Sequence, residues 1–140
     1  AGEGISRDDA EAARWYRLAA AQGYAPGQSA LGISYSTGRG VPKDDAEAVR
    51  WYRLAAAQGD ARAQCKLGIM YNTGTGVPRN VERAYVWYNV AAAGLSGEDR
   101  DKVVAVRDEV SAVLTPEQLS RAQALATTCI NSNFTDCGEP

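Results

Sequence analysis

The sequence predicts an all-α fold, an α/α superhelical repeat solenoid closed by a C-terminal helical hairpin cap. Three observations predict it. The stretch Asp8 to Gly23, DDAEAARWYRLAAAQG, returns as Asp44 to Gly59 with Val49 in place of Ala13 as the sole change, and returns more loosely from Asn80 as NVERAYVWYNVAAAG. The pairs Trp15-Tyr16, Trp51-Tyr52 and Trp87-Tyr88 recur every 36 residues, a period within the range of stacked helical repeats. Glycines and prolines fall at matching places between segments of helical spacing, where turns are needed.

Taken in order, Ala1 to Ser6 (AGEGIS) aligns with Thr37 to Pro42 (TGRGVP), so the chain opens inside a repeat and reads as a fragment of a longer array. A first helix is expected from about Arg7 to Gly23, with Asp8 and Asp9 at its electropositive N-terminus. Ala12, Trp15, Tyr16 and Ala19 share its apolar face, and Glu11 and Arg14 form a surface pair. A shorter helix follows from Ala25 to Thr37, with a counterpart from Ala61 to Thr73. Each ends in a Gly-x-Gly-Val-Pro turn, at Gly38 to Pro42 and at Gly74 to Pro78, where glycine permits the stop and proline suits a restart. The expected inward set is Leu31, Ile33, Tyr35, Trp51, Leu54, Leu67, Ile69, Tyr71 and Trp87. Gly32 and Gly68 interrupt helices at one repeat step, a cost that close packing against a neighbour would explain.

After Gly94 the period stops. Ser96 with Asp99 marks a helix start, and Val103, Val106, Val110 and Val113 form a stripe. Thr115-Pro116-Glu117-Gln118 is a second start with a capping box, and Leu119, Ala122, Ala126 and Cys129 share a face. The domain reading is therefore repeats over 1–94, capping helices over 95–130 and a loose tail over 131–140. Val86 stands where the copies have Arg14 and Arg50, as a surface covered by the cap would require.

Several function classes lose their support here. With 15 basic and 17 acidic residues the chain is near neutral, so charge supplies no reason to expect nucleic acid as a partner. No apolar run approaches the roughly 20 residues of a membrane span. There is no histidine, which removes the commonest general base and metal ligand. Cys65, Cys129 and Cys137 lack metal-ligand spacing. Asp8-Asp9 and Asp44-Asp45 are neighbours at helix starts and do not face one another as a catalytic pair would. Gly74-Thr75-Gly76 follows a helix and lacks the Lys-Ser/Thr of a phosphate loop. No catalytic residue, cofactor or metal is expected. Cys129 and Cys137 are close enough in sequence to form a disulfide, which would imply an oxidising compartment; both states remain open.

The motif set resembles a known family. Ala61, Leu67, Gly68 and Tyr71, then Gly40, Val41, Pro42 and Asp44, then Ala48, Trp51, Tyr52, Ala55, Ala56 and Gly59 follow the pattern of the Sel1-like repeat, a branch of the tetratricopeptide-like solenoids. The resemblance covers residues 1 to about 94. It implies an adaptor or scaffold that binds a protein or peptide partner, and a bacterial protein that is periplasmic or secreted, with a cytoplasmic site as the other option. A cysteine-rich branch with a cysteine pair in every repeat is linked to β-lactam binding or hydrolysis. Here Ala56 and Ala92 occupy the second helices, so that per-repeat bridge is absent.

Subtracting one repeat from the next isolates positions free to serve a partner. Pro26/Arg62, Ser29/Cys65, Ala30/Lys66 and Ser34/Met70 differ between copies and fall on one helical face. Arg62, Lys66 and Met70 are the candidate partner contacts, with Tyr24 and Asp60 at the rim. The expected function is non-enzymatic binding of a protein or peptide on the superhelix groove. The alternatives are β-lactam hydrolysis and a structural role by self-association through the exposed N-terminal repeat face.

Overall fold

The computed structural model describes residues 6–139, in which the backbone forms seven helices and no strand. The expected match of AGEGIS to a repeat turn lies almost wholly outside the described residues. The helices are α1 (Arg7–Ala21), α2 (Ala25–Thr37), α3 (Asp45–Ala56), α4 (Ala61–Thr73), α5 (Val81–Ala93), α6 (Gly97–Ser111) and α7 (Pro116–Asn131).

Their ends follow from short polar side chains and glycine. Ser6, Asp44, Asp60, Asn80 and Thr115 each accept a hydrogen bond from a first-turn N–H of α1, α3, α4, α5 and α7. A cap of this kind contributes about 1 kcal/mol. Thr115 and Gln118 complete a reciprocal capping box. Ser96 precedes α6 but makes no side-chain cap bond, so that start rests on Glu98 and Asp99 near the helix dipole. Gly38 and Gly74 terminate α2 and α4 in the left-handed region, each donating its N–H to the carbonyl four residues back.

Short connections fold each helix back on the one before, so α1 to α5 pack in succession. Leu31 and Leu67 are fully buried, each contributing roughly 2 kcal/mol on burial. Gln28 and Gln64 are buried too and donate to the carbonyls of Ala20 and Ala56, satisfying the C-terminal ends of α1 and α3.

In the second and third Trp-Tyr pairs the tyrosine is the repeated inward side chain, whereas both rings of the first pair, Trp15 and Tyr16, are exposed. Tyr52 is 1% exposed and Tyr88 2%. Each lies against a glycine of the preceding short helix, and a Cβ on Gly32 or Gly68 would stand 2.6 Å from the ring. Trp51 is half-buried, whereas Trp87 is buried. Leu54 and Ile69, expected inward, are exposed. They lie beyond the edge of the buried stripe: Tyr52 and Leu67 take the inward direction, and residues two positions away point elsewhere on a helix.

Burial pushes the Tyr88 phenol up to about 12, and the Cys65 sulfur adds to the rise. In the unfolded chain a tyrosine titrates near ~10. The stability held by neutral Tyr88 is therefore whole below pH ~10 and lost as pH climbs through the folded value. Thermal melts across that window should show a shallower alkaline decline for Tyr88→Phe than for the parent; equal slopes would remove the phenol as the cause.

Both α6 and α7 pack on α5 and make few contacts with each other. Val86 is buried and shares a cleft with Ala122 and Leu125, which accounts for the loss of arginine at that repeat position. Of the expected α6 stripe, Val103 and Val110 are buried while Val106 and Val113 are exposed. Val103 and Val110, two turns apart, are enough to seat the helix on α5.

The tail, expected to be loose, makes specific contacts with the helices. Cys129 is bonded to Cys137, Phe134 lies against Gly59 at the end of α3, and Glu139 reaches side chains of three further helices. The polar composition of NSNFTDCGE concealed one aromatic, one cysteine and one carboxylate that each find a partner.

Candidate interaction surface

Among the clefts of the described residues, two combine charged side chains with small or aromatic ones on the repeats themselves. The first lies where α1, α2 and the start of α4 meet, and has a volume of about 210 Å³. Ala12, Ala30 and Ser34 supply small side chains, Tyr16 and Ile33 supply apolar ones, and Asp9, Arg39 and Arg62 supply charge. Ala12 recurs as Ala48 in the next repeat, whereas Ala30 and Ser34 are replaced there by Lys66 and Met70, so the small lining is particular to this repeat. Arg39 and Arg62 are exposed. Arg62 is the one candidate contact that reaches this cleft.

The other candidates are placed differently. Met70 is 6% exposed and belongs to the core cluster, which corrects its assignment as a contact. Its flexible side chain fills space between helices, a common use of methionine. Asp60 caps α4 through the N–H of Ala63 at 2.9 Å, so its carboxylate is already engaged. Lys66 is half-buried. Tyr24 is exposed at the start of α2 and makes no side-chain cap bond. Cys65 is a free, half-buried thiol whose pKa burial raises, so it is a poor nucleophile at neutral pH.

The second cleft was missed from sequence. It lies among α3, α4 and α5 and is lined by Arg53, Tyr71, Arg79, Arg83 and the tail residues Gly138 and Glu139. Arg53 Nε donates to Glu139 Oε1 at 3.1 Å, and Arg83 donates to Oε2 at 2.5 Å. The Tyr71 hydroxyl lies 2.8 Å from both carboxylate oxygens and accepts from the Arg53 guanidinium at 3.1 Å. The Arg83 guanidinium also stands 5.8 Å from the centre of the Tyr71 ring. Burial raises the Tyr71 phenol, with the Glu139 carboxylate acting in the same direction, so it stays protonated and donates. Arg17 and Tyr35 form the same Arg–Tyr pair at 3.2 Å one repeat earlier, a signal that 36-residue alignment could have exposed.

Among the described residues, no group of His, Cys, Asp or Glu is placed to hold a metal ion, and no helix is long and apolar enough to cross a membrane.

The Sel1 repeat matches residues 1–24, 25–60 and 61–94. No curated protein matches. Among solved structures, the chain is similar to c5321, a protective antigen of uropathogenic Escherichia coli strains displaying an SLR fold. That likeness is 31% identical with a TM-score of 0.82, over 94% of this chain and 28% of that one. It is also similar to a Sel1 repeat protein from Oxalobacter formigenes, 39% identical with a TM-score of 0.62, over 67% of this chain and 36% of that one. The chain thus spans about a third of the length of these relatives, or less. Three consecutive repeats, with the Tyr-on-Gly packing and turn chemistry described above, show that the chain belongs to the Sel1 repeat family.

Proposed function

We propose that this chain is a non-enzymatic scaffold that binds an extended peptide or protein segment along α2 and the start of α4, with Arg62 as its cationic anchor. Sel1 repeat proteins are generally protein-interaction scaffolds, and stacked helices of a solenoid offer long surfaces for that use. The observation that carries the reading is the cleft of small side chains walled by Tyr16 and Ile33 and flanked by exposed Arg39 and Arg62. A peptide backbone can approach alanine and serine closely, and arginine is among the side chains that anchor interfaces most often. The Cys129–Cys137 bond supports placing the protein outside the cytoplasm, where disulfides persist.

Affinity capture from the source cells with the parent chain and with Arg62→Glu tests this. Arg62 is exposed and caps no helix, so the substitution should leave the melting temperature unchanged. Partners held in the cleft should be retained at least about tenfold less well, the loss of one charge-assisted anchor. Equal retention of every partner by both proteins would remove the cleft from the proposal.

A further inference from the structure

The Arg53–Tyr71–Arg83 cluster has a feature that the repeat framework does not demand. The Arg–Tyr pair itself belongs to the framework, since Arg17 and Tyr35 form it one step earlier. The position of Arg83, however, is Glu47 in that earlier repeat, and Glu47 pairs with Arg50 instead. One step later the pair becomes Asn89 and Arg107, joined at 3.0 Å. At this step two guanidinium groups, Arg53 and Arg83, and the Tyr71 hydroxyl converge on one carboxylate, with Arg83 also beside the Tyr71 ring. Arg79 adds a third positive charge to the lining, and Glu139 is the only carboxylate that lines the cleft among the described residues. Glu139 comes from Cys137 to Glu139, a stretch without helix or strand.

We propose that Arg53, Tyr71 and Arg83 form a carboxylate-recognition site for an extended, acidic segment of a partner polypeptide, and that Glu139 occupies this site in the resting chain as a stand-in for the partner's glutamate. The chemistry is that of a carboxylate held by two guanidinium groups and one hydroxyl, each of which donates to it. Beside it, the cleft lined by Leu54, Ala57, Trp87 and Phe134 continues the surface with apolar groups, so a partner side chain next to the glutamate would lie against Phe134. The site shares no lining residue with the cleft that contains Arg62. It extends the scaffold reading with a second surface, and rests on that reading only for its biological use.

The test uses the 140-residue chain and a small probe. Acetyl-Gly-Glu-Gly-amide is titrated into Glu139→Ala and into the parent, while the Nε–H NMR signals of Arg53 and Arg83 are followed. Saturable shifts of both signals are expected in Glu139→Ala, at a midpoint at least about tenfold lower than in the parent, where the tail competes. Acetyl-Gly-Gln-Gly-amide should leave both signals in place, because it carries no charge to pair. Glu139→Gln, which keeps the side-chain shape, should fall between parent and Glu139→Ala. If the opened variant fails to bind the glutamate probe, or binds the glutamine probe equally, the site is no more than a structural clasp for the tail and the proposal is overturned. Arg62→Glu should leave the titration unchanged. Equal retention of every partner by Arg62→Glu with an intact titration therefore counts against the α2–α4 cleft alone, and loss of capture with no titration counts against this site alone.

Discussion

Gly68→Ala is expected to destabilise the protein by about 2 kcal/mol, although alanine is the best helix former and glycine among the worst. A Cβ at this position would stand 2.6 Å from Tyr88 Cε1 and 2.7 Å from Cδ1. Neither atom can give way easily, because the ring is 2% exposed and belongs to the buried core cluster. Overpacking of this kind costs up to about 3 kcal/mol, offset by roughly 1 kcal/mol of helix propensity. A double-mutant cycle separates the two contributions. In a Tyr88→Ala background the collision is gone, so Gly68→Ala should turn stabilising by as much as about 1 kcal/mol. Denaturant melts of the four proteins give this directly. If the glycine substitution costs the same in both backgrounds, the contact with Tyr88 is not what the glycine is for. Gly32 and Tyr52 repeat the arrangement one unit earlier, so Gly32→Ala should behave alike.

The same pair shows how far the sequence could be read. The 36-residue recurrence of Gly32 and Gly68 announced a close approach, because a helix tolerates interior glycine only when a side chain would not fit. The period also placed each helix and turn, since caps and Gly-Pro punctuation are local chemistry. What approaches the glycine was not legible. Trp51 and Tyr52 are adjacent, about 100° apart around the helix, and both are large and apolar. Only the depth available above Gly32 decides that a single ring, Tyr52, fits there while Trp51 moves to the flank. Met70 failed for a related reason. Comparing repeats finds positions that vary, but a core position can vary as freely as a surface one when volumes are traded, here Ser34 for Met70. The carboxylate site was illegible because Glu139 lies far from Arg53 and Arg83 in sequence, and a ten-residue polar tail carries no periodicity to reveal where it docks.

Opening the Cys129–Cys137 bond is expected to remove about 2.5 kcal/mol of stability and to uncouple Glu139 from its site. The bond spans eight residues of sequence. The chain-entropy account of such a loop predicts a stabilisation of roughly 2.5 kcal/mol, all of it through the unfolded state. The folded structure adds a second consequence. Between Ser132 and Glu139 the tail holds a fixed path, and ordering each residue costs about 1–2 kcal/mol. Against this, the partly exposed ion pairs of Glu139 with Arg53 and Arg83 offer only about 1 kcal/mol each. Phe134 is half-buried and adds a comparable amount. Those contacts cannot hold the segment without the bond that anchors its far end, at Cys137, to α7. Glu139→Ala should therefore cost up to about 2 kcal/mol in the oxidised protein and nothing measurable in the Cys129→Ala/Cys137→Ala background. Thermal or urea melts of the four combinations decide it. Additive costs would mean that the bond acts on the unfolded chain alone and that Glu139 stays seated without it. Equal melting temperatures with and without reductant would show that the bond contributes nothing to the stack, and the tail would then be an ornament on α7 rather than a strap across α3 and α5.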